Sequence, residues 1–153
     1  MHLTDSSDSS FELKIAAYQY PNIHNDYYDS NWLMIQVDVK HPQGSWRASD
    51  PCLLTFEVEQ LAQWLEEVKS NSNKISHCSF IEPCLEFRIV ENNKGTNVLR
   101  VYFELKTRPP WAYARAAGQE DLWVEFALGE IDLFKAIQEL RAQLQQYPQR
   151  VGR

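Results

Sequence analysis

Glycine is scarce in this chain. Only five occur in 153 residues, and none stands in a GxGxxG or P-loop pattern. Without glycines to let the backbone approach phosphates, the usual nucleotide cradles are absent. GxSxG and HExxH are missing too, so neither a hydrolase nucleophile elbow nor a helical zinc-protease motif is present. Three cysteines, Cys52, Cys78 and Cys84, make an odd count with no CxxC pair. No apolar run approaches the roughly 20 residues of a membrane span. The polar first ten residues, MHLTDSSDSS, lack the apolar centre of a secretory signal. These absences predict a cytoplasmic chain with reduced cysteines, no membrane association and no cofactor.

The composition is that of a globular protein, 44% hydrophobic and 24% charged. A net charge of −6 repels nucleic acid and steers basic proteins inward, although it also serves plain solubility. Aromatics reach 12%, with five Trp and seven Tyr. Most such rings fill cores, while some serve recognition surfaces.

Hydrophobic periodicity sets the expected order of elements. Residues 1–10 read as a disordered lead-in, 11–147 as one α+β domain and 148–153 as a flexible tail. Phe11, Leu13, Ile15 and Ala17 alternate with polar neighbours, as do Leu33, Ile35, Val37 and Val39. Both patterns are those of half-buried strands. A short strand at Ser45–Arg47 ends at Asp50-Pro51, before the apolar run Cys52–Phe56. Val58, Leu61, Trp64, Leu65 and Val68 recur at helical spacing, and the Asn/Ser-rich segment from Ser70 ends that helix.

The second half repeats the plan. Strands are expected at Phe80–Glu82 and Leu85–Val90, with Pro83 as a kink between them. Asn92-Asn93-Lys94-Gly95 is a hairpin turn, followed by a strand turning Leu99, Val101, Phe103 and Leu105 inward. Leu122, Val124, Phe126 and Leu128 form the last strand. A helix from Glu130 to Gln146 carries Ile131, Leu133, Phe134, Ile137, Leu140 and Leu144 on one stripe. The class is α+β, an antiparallel sheet with two helices packed on it, in the order βββα-βββα. Sliding Leu54 onto Phe126 also brings Phe56, Leu61, Leu65 and Val68 onto Leu128, Leu133, Ile137 and Leu140. A duplicated half explains that, and so does the chance matching of strand-then-helix patterns.

No catalytic or metal constellation gathers. His77, Cys78 and Cys84 fall short of four zinc ligands, and no basic cluster marks a thiol as activated. The loops offer binding surface instead. In Asp26-Tyr27-Tyr28-Asp29 two carboxylates bracket two phenols, which suits Arg and Lys on a basic protein partner. The same tyrosines also suit packing against a sheet edge. Pro109-Pro110-Trp111-Ala112-Tyr113 holds two further aromatics, Trp111 and Tyr113, as core cover or as a presented patch. A homodimer and a small-molecule pocket under the 107–120 loop, in a binding module or an uncharacterised enzyme, are the competing uses of the surface.

Several strings resemble a known family. They are Phe11-Glu12-Leu13-Lys14-Ile15, Tyr18-Gln19-Tyr20-Pro21, Asp29-Ser30-Asn31-Trp32-Leu33, Trp46, and Asp50-Pro51-Cys52-Leu53-Leu54-Thr55. The similarity continues through Trp64-Leu65, Phe80-Ile81-Glu82-Pro83 and Phe126 to Leu140. This pattern resembles the WapI family, bacterial immunity proteins paired with wall-associated, contact-dependent toxins. The resemblance implies a non-enzymatic cytoplasmic inhibitor that binds a cognate toxin domain, often a nuclease, and blocks its active site. It carries no list of contact residues.

Overall fold

The computed structural model describes residues 1–71, 76–112 and 121–151. Among them the chain forms two four-stranded antiparallel sheets and two α-helices. The first sheet is a meander of β1 (His2–Thr4), β2 (Ser10–Tyr18), β3 (Trp32–His41) and β4 (Gly44–Leu54), followed by α1 (Thr55–Lys69). The second repeats it with β5 (His77–Ser79), β6 (Leu85–Glu91), β7 (Asn97–Phe103), β8 (Leu122–Ala127) and α2 (Leu133–Gln146). The α+β class and the two similar halves are as the periodicity predicts, with β1 as an additional short strand in the first half.

Alternation explains how the sheets meet. Phe11 and Leu13 on β2 share an inward face with Val39 and Val37, their register partners on β3. On the second sheet Phe87, Val101 and Val124 stand in one cross-strand row. The Phe11 ring lies 5.9 Å from Phe87 and 6.0 Å from Phe103, and Trp46 lies 5.0 Å from Phe103. The two inward faces therefore share one continuous core, which buried residues of both helices join. Along α1, Val58, Leu61, Ala62, Trp64 and Leu65 are buried, and along α2, Ala136, Ile137 and Leu140. Arg141 of α2 clasps α1 by pairing with Glu59 at 2.9 Å and Glu66 at 2.6 Å.

Several expectations need correction. Residues 2–4 are no disordered lead-in, because Leu3 is fully buried opposite Phe11 and pairs with β2. Asp5 also accepts a hydrogen bond from Ala127 N–H at 2.8 Å. The tail is held as well, at least to Val151, through contacts of Arg150 and Val151 described below. Residues 81–84 form bends and turns, and the strand lies earlier at His77–Ser79. Leu105 does not continue β7 inward. It adopts φ +53° and stands half exposed. Phe134, placed on the apolar stripe, is 56% exposed.

Pro51 does not end β4, because the strand carries an irregularity there. Leu33 pairs with Leu53 and Met34 with Pro51, so Cys52 is the extra residue of a bulge and turns inward. There it meets Cys84 in a disulfide that links the two halves. Three unpaired cysteines were expected, and only Cys78 is free. The glycine-poor β3–β4 hairpin uses Gly44 at φ +143°, a value L residues rarely adopt.

Candidate functional site

The acidic–aromatic loop is a built turn. The Asp26 carboxylate accepts hydrogen bonds from Tyr28 N–H at 2.8 Å and Asp29 N–H at 2.7 Å. It thus caps one turn of helix-like backbone, in which Ser30 N–H reaches Asp26 C=O. Tyr27 stacks on Phe56 at 4.9 Å with planes only 13° apart, and so is partly a packing residue. Tyr28, 42% exposed, and the exposed Asp29 are the groups the loop presents.

Behind the loop, Asn31 is fully buried and every polar atom of its side chain is used. Its amide donates to Tyr27 C=O at 2.8 Å and Val151 C=O at 3.1 Å. Its oxygen accepts from Thr55 Oγ1 and Arg150 N–H, both at 2.9 Å. One side chain therefore ties the loop, the start of α1 and the C-terminal segment together. Arg150 adds three bonds from Nη1 to the carbonyls of Tyr20, Pro21 and Ile23, at 3.0–3.2 Å. Burial of this kind fixes the loop's shape before any partner arrives.

Trp111 sits elsewhere. Its ring meets Trp46 edge-on at 6.0 Å and lies against Gly44, where an added Cβ would come within 3.2 Å of it. It remains 58% exposed. Gly44 and Tyr28 flank opposite ends of β3, roughly 30 Å apart at a strand rise of about 3.3 Å per residue. The structure does not bring the Asp26–Asp29 loop and Trp111 together. Tyr113, the other aromatic singled out, lies outside the described residues. Buried Arg108 donates from Nε to Ala112 C=O at 2.6 Å, and its Nη1 lies 3.5 Å from Glu104. It braces the turn that carries Trp111.

Sequence reasoning missed a groove. A cleft of about 850 Å³ is lined by Gln19, Tyr20, Trp32, Asp50, Pro51, Glu82, Leu105 and Lys106. It opens beside the Asp26–Asp29 loop's end of the first sheet, along the edge strand β4. No described residue of the 107–120 loop lines this cleft, so it is not the pocket expected under that loop. Asp50 is held above the usual carboxylate range, first by burial, with Lys106 opposing and Glu82 adding to the rise. These residues come from five separate stretches, so no local motif marks them.

Thiol chemistry has little to work with. Burial pushes the Cys78 thiol up to about 11, which leaves almost no thiolate near neutrality. Among the described residues, no group of three His, Cys, Asp or Glu side chains is arranged to hold a metal ion. No helix among them is long and apolar enough to cross a membrane.

No curated protein and no solved structure matches this chain. One family model does, over residues 2–148, described as the immunity protein WapI-like family. The matched span takes in both sheets and both helices, together with the buried Asn31 hub and the bulge at Cys52. The chain belongs to the WapI-like immunity protein family.

Proposed function

We propose that this chain neutralises a cognate toxin domain, a nuclease, in the cytoplasm by covering the basic groove in which the toxin holds its substrate. A nuclease groove is positively charged, and a protein of net charge −6 approaches it along a favourable field. The observation that carries the reading is the preformed turn that presents Tyr28 and Asp29. A rigid phenol and a solvent-facing carboxylate suit an Arg- or Lys-rich surface, and little ordering cost remains to be met on binding. Trp111 offers a second contact at the far end of β3, within the span of an ordinary protein interface. Tyr113 belongs to the same proposal through its place in the sequence.

The partner to test is a toxin domain encoded beside this chain's gene. Purified together, the two are expected to form a complex in which nuclease activity is lost at equimolar protein. A toxin that stays fully active in an excess of this chain would overturn the proposal. Asp29→Lys is the informative loop variant, because Asp26→Lys also removes the cap of the turn. Asp29→Lys should weaken binding by about tenfold and flatten its salt dependence. Unchanged affinity by calorimetry would remove the loop from the interface.

A second reading, a small-molecule binding module, draws on the groove at Asp50 and Glu82. Its volume falls among ligand pockets, roughly 300–1,000 Å³. Half-exposed Tyr20 and Leu105 on its walls favour a protruding side chain over an enclosed ligand.

A further inference from the structure

The groove along β4 has a composition the loop does not share. Trp32 and Tyr20 supply aromatic surface, Asp50 and Glu82 supply two carboxylates, and Lys106 is the one cation among the described residues of its lining. Among the described residues, neither carboxylate has a hydrogen-bond or ion-pair partner. The bulge at Cys52 places Asp50 and Pro51 at the groove, and the disulfide to Cys84 anchors the segment that carries Glu82. Leu105 projects at the rim in a left-handed conformation that is unusual for a bulky residue.

We propose, building on the immunity reading above, that this groove receives one arginine or lysine side chain of the toxin, between the carboxylates of Asp50 and Glu82 and the rings of Trp32 and Tyr20. The charges decide the class of guest. Two carboxylates without partners among the described residues favour a cation, and aromatic faces attract the same cation while covering its apolar stem. An anion would meet both carboxylates with, among the described residues, only Lys106 in its favour. Lys106 partly neutralises the empty groove and swings to solvent when the guest arrives, since it forms no close ion pair there. Leu105 then meets apolar surface around the guest. The groove opens at the same end of the first sheet as Tyr28 and Asp29, so one partner surface reaches both.

The test uses two small probes, N-acetyl-arginine amide and its uncharged isostere N-acetyl-citrulline amide, followed by NMR at the Trp32 indole N–H. The arginine probe should shift that signal saturably, and the citrulline probe should bind about fivefold more weakly. Asp50→Asn with Glu82→Gln should abolish the difference, whereas Lys106→Met should tighten arginine binding. Equal responses to the two probes, or no change in the double variant, would overturn the groove's preference for a cation. Lys106→Met keeps the test sound should the double variant fold poorly, because that position is exposed.

The toxin itself separates the two readings. With wild-type binding established, the double variant should lose about tenfold in affinity. Unchanged toxin affinity would overturn the assignment of the toxin's side chain to the groove and leave the immunity function standing. A wild-type chain that binds no toxin would instead bring down the immunity reading and the toxin assignment with it.

Discussion

The guanidinium carbon of Arg150 lies 3.5 Å from the centre of the Tyr18 ring. The same guanidinium donates to three carbonyls of the loop that follows β2. A residue near the end of the chain thereby clamps the segment leading to Tyr28 and Asp29, and Tyr18 Oη donates back to Pro148 C=O at 2.5 Å. The contact makes the presented loop depend on a segment more than a hundred residues away in sequence.

Arg150→Ala should therefore cost about 1 kcal/mol, the scale of an exposed cation–π contact, and lower Tm by a few degrees. The larger effect should be local. Hydrogen exchange over residues 19–32 should accelerate while β6 and β7 stay protected. Unchanged exchange in the loop would mean that Asn31 alone holds it.

The cysteines permit a direct count. Protein isolated without reductant and then unfolded should expose one reactive thiol, Cys78, and all three after reduction. In the native state Cys78 should resist alkylation at pH 8, since it is buried with its thiol at about 11. Replacing Cys52 and Cys84 together by Ala should cost about 3–4 kcal/mol, from loop closure over a sequence separation of 32. Three reactive thiols in unreduced, unfolded protein would refute the bond.

Glu57 is buried near the start of α1, where it accepts from Leu54 N–H at 3.0 Å and Ile81 N–H at 2.7 Å. Burial raises its carboxyl above the usual range, despite both hydrogen bonds. A raised native value means the fold binds the proton more tightly than the unfolded chain does. The contribution to stability is therefore full below the ordinary Glu value of 4.5 and is lost as pH rises through the raised one. The stability advantage of wild type over Glu57→Gln should be larger at pH 5 than at pH 7. Urea unfolding at the two pH values measures it, and an advantage that grows toward pH 7 would contradict the assignment.

Long alternation was the most legible signal. β2, β3, β6 and β7 each keep an apolar period through most of their length, and the stripe from Val58 to Leu65 marks α1. The short strands were not legible, because three residues such as His2–Thr4 or His77–Ser79 cannot show a period. Pro51 looked like a breaker, since only the register with Met34 reveals the bulge that accommodates it. The bond between Cys52 and Cys84 depends on that same bulge.

The candidate site was legible in part. Asp26, Tyr27, Tyr28 and Asp29 stood out as a cluster, yet the sequence did not show that Asp26 is spent on the turn and Tyr27 on Phe56. Asn31 lies within a string that resembles the family, and its four partners come from its own loop and from two distant segments. Asp50, Glu82 and Lys106 look like ordinary surface charges until folding sets them around one groove. Charge and aromatic content are local properties, whereas concavity belongs to the assembled sheets.

The disulfide between Cys52 and Cys84 joins the first half of the chain to the second. Two similar halves are prone to exchange, since each closes against a surface that another copy also offers. With the bond formed inside one chain, such an exchange would have to break it or reform it between chains. Domain swapping is thus held back by a covalent check, and a swapped dimer that reforms the bond between chains would reveal itself as a crosslinked band on a non-reducing gel.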